Sequence, residues 1–156
     1  MRPPRIPAFD YRGRHRYFVT CCAFRRQPAF VEPVVVERLD VQLLRTLDET
    51  GFAVSAYVFM PDHLHLLIEG TTGEASFRTA MRLIRQRLTI AMLTRKPLWQ
   101  DGYFERVLRT DEQTFAVADY IIGNPVRARL VGSAFEYPFS FSIEHGKVFR
   151  LGASPS

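Results

Sequence analysis

Cysteine and long apolar runs are scarce in this chain, and both scarcities narrow the classes of protein to which it can belong. Its two cysteines are neighbours, Cys21 and Cys22. Neighbouring side chains of a strand point to opposite faces, so we expect reduced structural thiols and neither a disulfide nor a metal site. No apolar run approaches the roughly 20 residues that span a membrane, and the N-terminal residues lack the apolar segment of a signal peptide. We therefore expect a cytoplasmic protein without a membrane partner.

Lysine is nearly absent as well, although the chain is basic. Lys96 and Lys147 are the only lysines among its 21 lysine and arginine residues, and the formal net charge is +5. Arginine makes planar, bidentate contacts with phosphate and stacks on bases, so this composition favours a polyanionic partner. An arginine-rich surface that only reflects the base composition of the genome is the open alternative.

The chain has the length and composition of one globular domain. It holds 156 residues, of which 47% are hydrophobic and 24% are charged, enough to bury one core but few for two. Prolines and arginines without periodicity in residues 1–13 predict a flexible basic N-terminal arm. We expect the domain over residues 14–145 and a C-terminal tail over 146–156.

The hydrophobic periodicity predicts alternating strands and helices. Aromatic and β-branched stretches indicate strands, whereas apolar residues that recur every three or four positions indicate helices. The predicted strands cover residues 15–24, 52–60, 63–70 and 103–109, and the predicted helices lie between Pro33 and Gly51, over 75–93, and from Asp111 onward with Thr110 as the N-cap. This order is that of the ferredoxin-like split βαβ arrangement, an α+β fold with an antiparallel sheet and helices on one face. The last helix, which carries Tyr120, is an addition to that arrangement.

Two of the four histidines fall in one apolar stretch, "MPDHLHLLIEG" at residues 60–70. On a strand, His63 and His65 share a face, where two neutral imidazoles can bind one divalent cation if at least one further ligand joins them. Glu69 lies on the same face but well along the strand from the pair. Because the His-x-His motif is short, a hydrogen-bonded pair on a polar sheet face is an open alternative.

A tyrosine and an asparagine in "ADYIIGNPVRARLV", residues 118–131, are the candidates to join the histidines. Tyr120 and Asn124 are four residues apart and therefore share one face of the predicted helix. The Asn carboxamide oxygen suits Mg²⁺ or Mn²⁺, and a phenol beside such a cation can attack a phosphodiester. The alternatives are that Tyr120 is a packing aromatic and that Asn124 ends the helix before Pro125.

Four segments in order along the chain resemble the REP-associated tyrosine transposases, which are IS200-like relatives of the single-tyrosine HUH transposases. They are "FDYRGRHRYFVT", "AYVFMPDHLHLLIEG", "LWQDGYFERVLR" and "YIIGNPVRARLV". The resemblance runs from about residue 8 to about residue 140. The combination of "MPDHLHLL" with "YIxxNPVRAxLV" some fifty residues later is far more specific than His-x-His alone.

The resemblance implies a site, a reaction and a partner. His63 and His65 would be the metal pair for Mg²⁺ or Mn²⁺, Tyr120 the nucleophile, and Asn124 the residue that completes the metal site, where insertion-sequence relatives often have glutamine. The family cuts single-stranded DNA, forms a 5′-phosphotyrosine linkage with a free 3′-OH, and rejoins strands by the reverse step. Family members recognise hairpin-forming repeats, so we expect single-stranded or hairpin DNA as the partner. We also expect a bacterial protein that is associated with the nucleoid and is a monomer or a homodimer. The candidate DNA contacts are Arg12, Arg14, Arg16, Arg78, Arg82, Arg85, Arg127 and Arg129.

Two alternative functions share these features in part. An HUH replication-type nickase would use the same histidine pair, although such enzymes usually have further domains. A catalytically idle, domesticated module that binds single-stranded or hairpin DNA would need the arginines but not Tyr120. A covalent adduct on Tyr120 separates the enzymes from the binding module.

Overall fold

The computed structural model describes residues 9–149. These residues form one antiparallel sheet of five strands, together with three α-helices. The elements in chain order are β1 (Arg16–Cys22), α1 (Pro33–Glu49), β2 (Phe52–Met60), β3 (His63–Gly70), α2 (Phe77–Ala91), β4 (Phe104–Leu108), α3 (Asp111–Arg127) and β5 (Ser140–Ser142). The hairpin of β2 and β3 has the predicted bounds, because alternating and β-branched residues end at the Pro61–Asp62 turn.

The strand order in the sheet is β4-β1-β3-β2-β5, and each neighbouring pair is antiparallel. The first four strands have the order of the split βαβ arrangement, so the predicted fold class is confirmed. The sheet is open, with β4 and β5 at its edges. The prediction missed β5, which is three residues long and pairs with β2.

Helices α1 and α2 cover one face of the sheet and enclose the main core. The apolar positions predicted to form their inner stripes are buried in the structure, except for Met92, which is half-buried just after α2. The buried positions are Val36, Leu39, Leu43, Leu47, Phe77, Met81, Ile84 and Leu88. A buried hydrogen bond joins this layer to the sheet, in which the Tyr57 hydroxyl donates to Asp40 Oδ1 at 2.5 Å. Burial raises the pKa of the Asp40 carboxyl to about 6.

Helix α3 covers the opposite face, on which the two histidines lie. His65 is paired across β1 and β2 with residues of that face, and the ring of Tyr120 in α3 is 5.6 Å from the His65 ring. The helix begins as predicted, because Thr110 and Gln113 form a reciprocal capping box at its first turn. Near the same end, Arg16 of β1 donates to Asp111 Oδ1 at 2.7 Å. The extra helix therefore sets a tyrosine over the histidine face.

Packed residues extend beyond the predicted domain of 14–145 at both ends of the described chain. Tyr11 is buried, and Gly13 N donates to the Ala75 carbonyl. Lys147 and Phe149 are buried as well, and the bounds of the arm and of the tail stay a prediction. The rest of the arm, 1–8, and of the tail, 150–156, lies outside the described residues.

Cys21 is buried and Cys22 is half-buried, and neither is part of a disulfide among the described residues. Among residues 9–149, no helix combines the length and the apolar character that crossing a bilayer requires.

Candidate active site

The two histidines of β3 point their Nε2 atoms at each other from the face beneath α3. His63 Nε2 and His65 Nε2 are 3.1 Å apart. His65 is only 5% exposed, since β1, β2 and α3 surround it. A cation bound about 2.0–2.1 Å from each of two imidazole nitrogens holds those nitrogens about 3 Å apart. The spacing therefore suits one shared divalent cation.

Asp62 orients His63 from the preceding turn. Its Oδ1 is 2.7 Å from His63 Nδ1, and its Oδ2 accepts from Arg26 Nε at 2.9 Å. Partial burial alone would raise the pKa of Asp62, but the hydrogen bonds from His63 and Arg26 outweigh it and lower that pKa below its ordinary value. An ionised Asp62 accepts a hydrogen bond from Nδ1–H of His63, which keeps the proton on Nδ1 and leaves the lone pair on Nε2.

Thr20 of β1 performs the corresponding role for His65. Its Oγ1 is 2.9 Å from His65 Nδ1, and a hydroxyl can donate or accept. When Thr20 accepts from Nδ1–H, both Nε2 lone pairs face the same point. Burial, aided by the neighbouring His63 ring and by the positive charge of Arg127, lowers the pKa of His65 to about 3, so this ring is neutral and able to act as a ligand.

The donor set fits a divalent cation that takes its remaining ligands from outside the histidine pair. Among the described residues, no group of three or more His, Cys, Asp or Glu side chains could hold a metal ion. Asn124 is half-buried, and no group of the described part of the chain hydrogen-bonds its buried Nδ2, which leaves this amide donor for a further group. The interpretation that Asn124 ends the helix is wrong, because α3 continues to Arg127.

Tyr120 is presented to solvent beside the pair. Its residue is 47% exposed, and its ring lies edge-on to Phe18 and to His65 at 5.9 and 5.6 Å between centroids. The Arg127 guanidinium carbon is 4.4 Å from the ring centroid of Tyr120, and this arginine also donates to the Tyr120 carbonyl. Arg127 can lie there because Gly123 has no side chain: an added Cβ would be 2.6 Å from Arg127 Nη1. A fixed positive charge thus lies against an accessible phenol.

Several of the arginines predicted to contact DNA already contact other residues of the protein. Arg16 bonds α3, Arg78 lies over the Tyr11 ring at 4.9 Å, and Arg85 donates to the Gln100 carbonyl at 2.7 Å. The remaining predicted residues besides Arg127 are exposed: Arg12, Arg14, Arg82 and Arg129. Their contact with DNA stays a prediction.

Sequence reasoning missed the groups that orient the histidines. Asp62 was not among the predicted site residues, although its position next to His63 was a usable signal. Thr20 lies 45 positions before His65 and carried no signal, because only the β1–β3 register brings the two together. Glu69 is exposed and lies four residues beyond His65 on β3, which is about 13 Å at strand rise.

The IS200-like transposase model matches residues 12–124, a span that includes both histidines, Tyr120 and Asn124. The chain therefore belongs to the IS200-like transposase family, the family predicted from the four sequence segments. The REP-associated tyrosine transposase of Escherichia coli K12 is 28% identical over 98 residues, which cover 63% of this chain and 59% of that protein. The chain spans about three fifths of the length of the curated relatives it matches.

Solved structures share the fold. A REP-associated tyrosine transposase, described as bound to a REP hairpin, superposes with a TM-score of 0.75 at 23% identity, covering 88% of this chain and 82% of that one. A crystal structure described as a candidate transposase from Deinococcus radiodurans gives a TM-score of 0.53 at 22% identity, covering 80% of this chain and 97% of the other. At these identities the likeness establishes the architecture of sheet and helices.

Proposed function

We propose that this chain is a metal-dependent single-stranded DNA endonuclease and strand transferase that acts through a 5′-phosphotyrosine on Tyr120. One observation carries the proposal: two imidazoles with convergent Nε2 atoms 3.1 Å apart lie beside an exposed phenol on the facing helix. Membership of the transposase family supports the same reaction. A packing role for Tyr120 does not account for a ring that is 47% exposed.

In the proposed reaction the Tyr120 oxygen forms a bond to the scissile phosphorus, and the bond from phosphorus to the 3′-oxygen breaks. Mg²⁺ or Mn²⁺ held by His63 and His65 would draw charge from a phosphoryl oxygen. Arg127 keeps a positive charge against the phenol ring and thereby stabilises the phenolate that attacks. The reaction reverses when a 3′-hydroxyl attacks the phosphotyrosine, which rejoins strands without a nucleotide cofactor.

The phenol proton leaves to solvent or to the substrate. Among residues 9–149 no side chain hydrogen-bonds the Tyr120 hydroxyl, whereas Asp62 and Thr20 are both committed to the histidines. Asn124 would supply its amide to the cation or to a phosphate oxygen, because it lies one helical turn after Tyr120 on the same face of α3.

The proposed substrate is hairpin-forming repeat DNA with a single-stranded flank. The structural neighbour described as bound to a REP hairpin supports this choice. The exposed Arg12, Arg14, Arg82 and Arg129 offer phosphate contacts. Binding of this kind would associate the protein with the nucleoid.

The test is a cleavage assay on end-labelled single-stranded oligonucleotides that carry the repeats flanking the gene. Wild type with Mn²⁺ is expected to give a shortened strand and a denaturation-resistant protein–DNA species, which chelator and Tyr120→Phe both abolish. The matched control is Tyr17→Phe, since the buried Tyr17 hydroxyl has no hydrogen-bond partner within residues 9–149 and lies on the opposite face of the sheet. Equal binding by wild type and Tyr120→Phe without any cut or adduct would favour the idle binding module.

A further inference from the structure

A cavity of about 260 Å³ opens between the end of β1 and the loop that leads into β4. Its size is below the roughly 300–1,000 Å³ of pockets that take drug-sized ligands, and it suits one planar ring system. The side chains that line it include Thr20, Cys22, Arg26, Gln100, Asp101 and Phe104.

The cavity shares two side chains with the network that orients the histidines. Thr20 bonds His65 Nδ1 at 2.9 Å, and Arg26 bonds Asp62, which in turn bonds His63. A phosphate bound at the histidine pair would therefore have this cavity directly beside it. Consecutive nucleotides of an extended strand would reach both places.

The loop on the far side of the cavity is held in place by β1 and α2. Gln100 N donates to the Cys22 carbonyl at 3.1 Å, and the Gln100 carbonyl accepts from Arg85 Nη2 at 2.7 Å. Trp99 Nε1 donates to the Arg85 carbonyl at 3.0 Å. Gly102 has φ of 69°, which glycine adopts without strain. Arg85, predicted to contact DNA, thus acts here to position the loop.

The walls combine one accessible aromatic face with charges of both signs. Phe104 is 41% exposed and lies edge-on to Phe18, whose ring in turn contacts Tyr120. The carboxylate of Asp101 is exposed. Arg26 uses Nε for Asp62 and Nη1 for Cys22 Sγ, which leaves Nη2 for a ligand. Stacking surfaces with a few polar groups are what a protein uses to hold an unpaired base.

We propose that this cavity binds and reads one unpaired base that flanks the cleaved phosphate, with Phe104 as the stacking surface and Asp101 as the acceptor for the base edge. The proposal rests on the proposed function. A carboxylate accepts from the exocyclic amino groups of adenine, cytosine and guanine, whereas thymine presents carbonyl oxygens on both sides of its imino group. Thymine is therefore the base that the cavity disfavours.

The experiment measures binding of a labelled repeat hairpin with a single-stranded tail, using protein that carries Tyr120→Phe to prevent cutting. Each tail nucleotide is replaced in turn by an abasic site, and the sensitive position is then tested with all four bases. The variants are Asp101→Asn, Phe104→Ala and Phe104→Tyr. The matched control is Asp48→Asn, an exposed aspartate near the end of α1.

One abasic position is expected to weaken binding roughly 5-fold or more. Phe104→Ala should weaken binding of intact DNA by a similar factor and remove the abasic penalty, whereas Phe104→Tyr should keep it. Asp101→Asn should make the affinity for DNA with thymine at this position equal to that with the other bases, because an amide both donates and accepts. Asp48→Asn should leave the base preference unchanged.

Two results would overturn the proposal: no tail position is sensitive, or a base preference survives Asp101→Asn. If Phe104→Ala does not fold, the Asp101→Asn result alone decides. The adduct assay, on protein with Tyr120 intact, tests the proposed transferase activity independently of the cavity proposal. A preference that depends on Asp101 supports the cavity proposal even if no adduct forms, and an adduct without any base preference overturns it while leaving the transferase standing.

Discussion

Replacing Asp62 with asparagine should weaken the affinity of the histidine pair for Mn²⁺. The Asp62 carboxylate fixes the proton of His63 on Nδ1 and also accepts from Arg26. Asparagine has one acceptor in place of two, so its amino group would face either His63 Nδ1–H or Arg26 Nε–H. Loss of such a partner typically costs 10- to 100-fold in metal affinity, about 1.4–2.7 kcal/mol.

The control for this prediction is Glu69→Gln, which removes a like charge from the same face of β3. Glu69 lies about 13 Å along the strand from His65. Coulomb's law in water gives about 0.6 kcal/mol between a unit charge and a divalent cation at that distance, and salt screening over more than one Debye length reduces this to less than a twofold change in affinity. The difference in Mn²⁺ affinity between Asp62→Asn and Glu69→Gln therefore separates the effect of His63 orientation from the effect of net charge.

Isothermal titration of Mn²⁺ into each folded protein, with a thermal melt to verify folding, measures both affinities. We expect a tenfold or greater loss of Mn²⁺ affinity for Asp62→Asn and a change below twofold for Glu69→Gln. Equal shifts in the two variants would refute the assigned role of Asp62. Unchanged Mn²⁺ affinity in His63→Ala would refute the metal site altogether.

Two further predictions concern the pKa of the buried Asp40 carboxyl and the contact of Arg127 with the Tyr120 ring. Because burial raises the pKa of Asp40 from 3.8 to about 6, the native state binds more protons than the unfolded state between these values, and stability should fall by about 2 kcal/mol from pH 4 to pH 6.5. Chemical denaturation should show that fall in wild type relative to Asp40→Asn, and parallel curves would contradict it. Gly123→Ala should displace the Arg127 side chain from the Tyr120 ring, since the new Cβ would be 2.6 Å from Nη1. Adduct formation should slow while the melting temperature holds or rises, because alanine favours helix by up to about 1 kcal/mol; an unchanged rate would show that Arg127 does not assist Tyr120.

Local sequence signals were sufficient for most of the fold. The Pro61–Asp62 turn between two β-branched stretches gave β2 and β3, and Thr110 before acidic residues gave the start of α3. Strand β5 was missed because three residues carry no periodicity and its pairing with β2 is long-range. Which face α3 covers was also beyond local patterns, since it depends on how the chain returns across the sheet after β4.

The candidate site was predictable in its residue types but not in its supporting contacts. The spacing of His63 and His65 requires a shared face on any strand, and the structure has their Nε2 atoms 3.1 Å apart. The partners of those rings come from β1 and from the turn before β3, so they depend on register and on turn geometry. Gly123 gave no sequence signal, because its importance lies in the space it leaves for Arg127.

The most direct test of the central claim is to locate the covalent bond. Wild-type protein incubated with Mn²⁺ and cleavable repeat DNA is digested with protease and nuclease, and tandem mass spectrometry identifies the peptide that carries the residual nucleotide. We predict a phosphodiester on the Tyr120 oxygen that disappears in the double variant of His63→Ala and His65→Ala. A nucleotide on another residue, or a modified Tyr120 in the histidine double variant, would contradict the account.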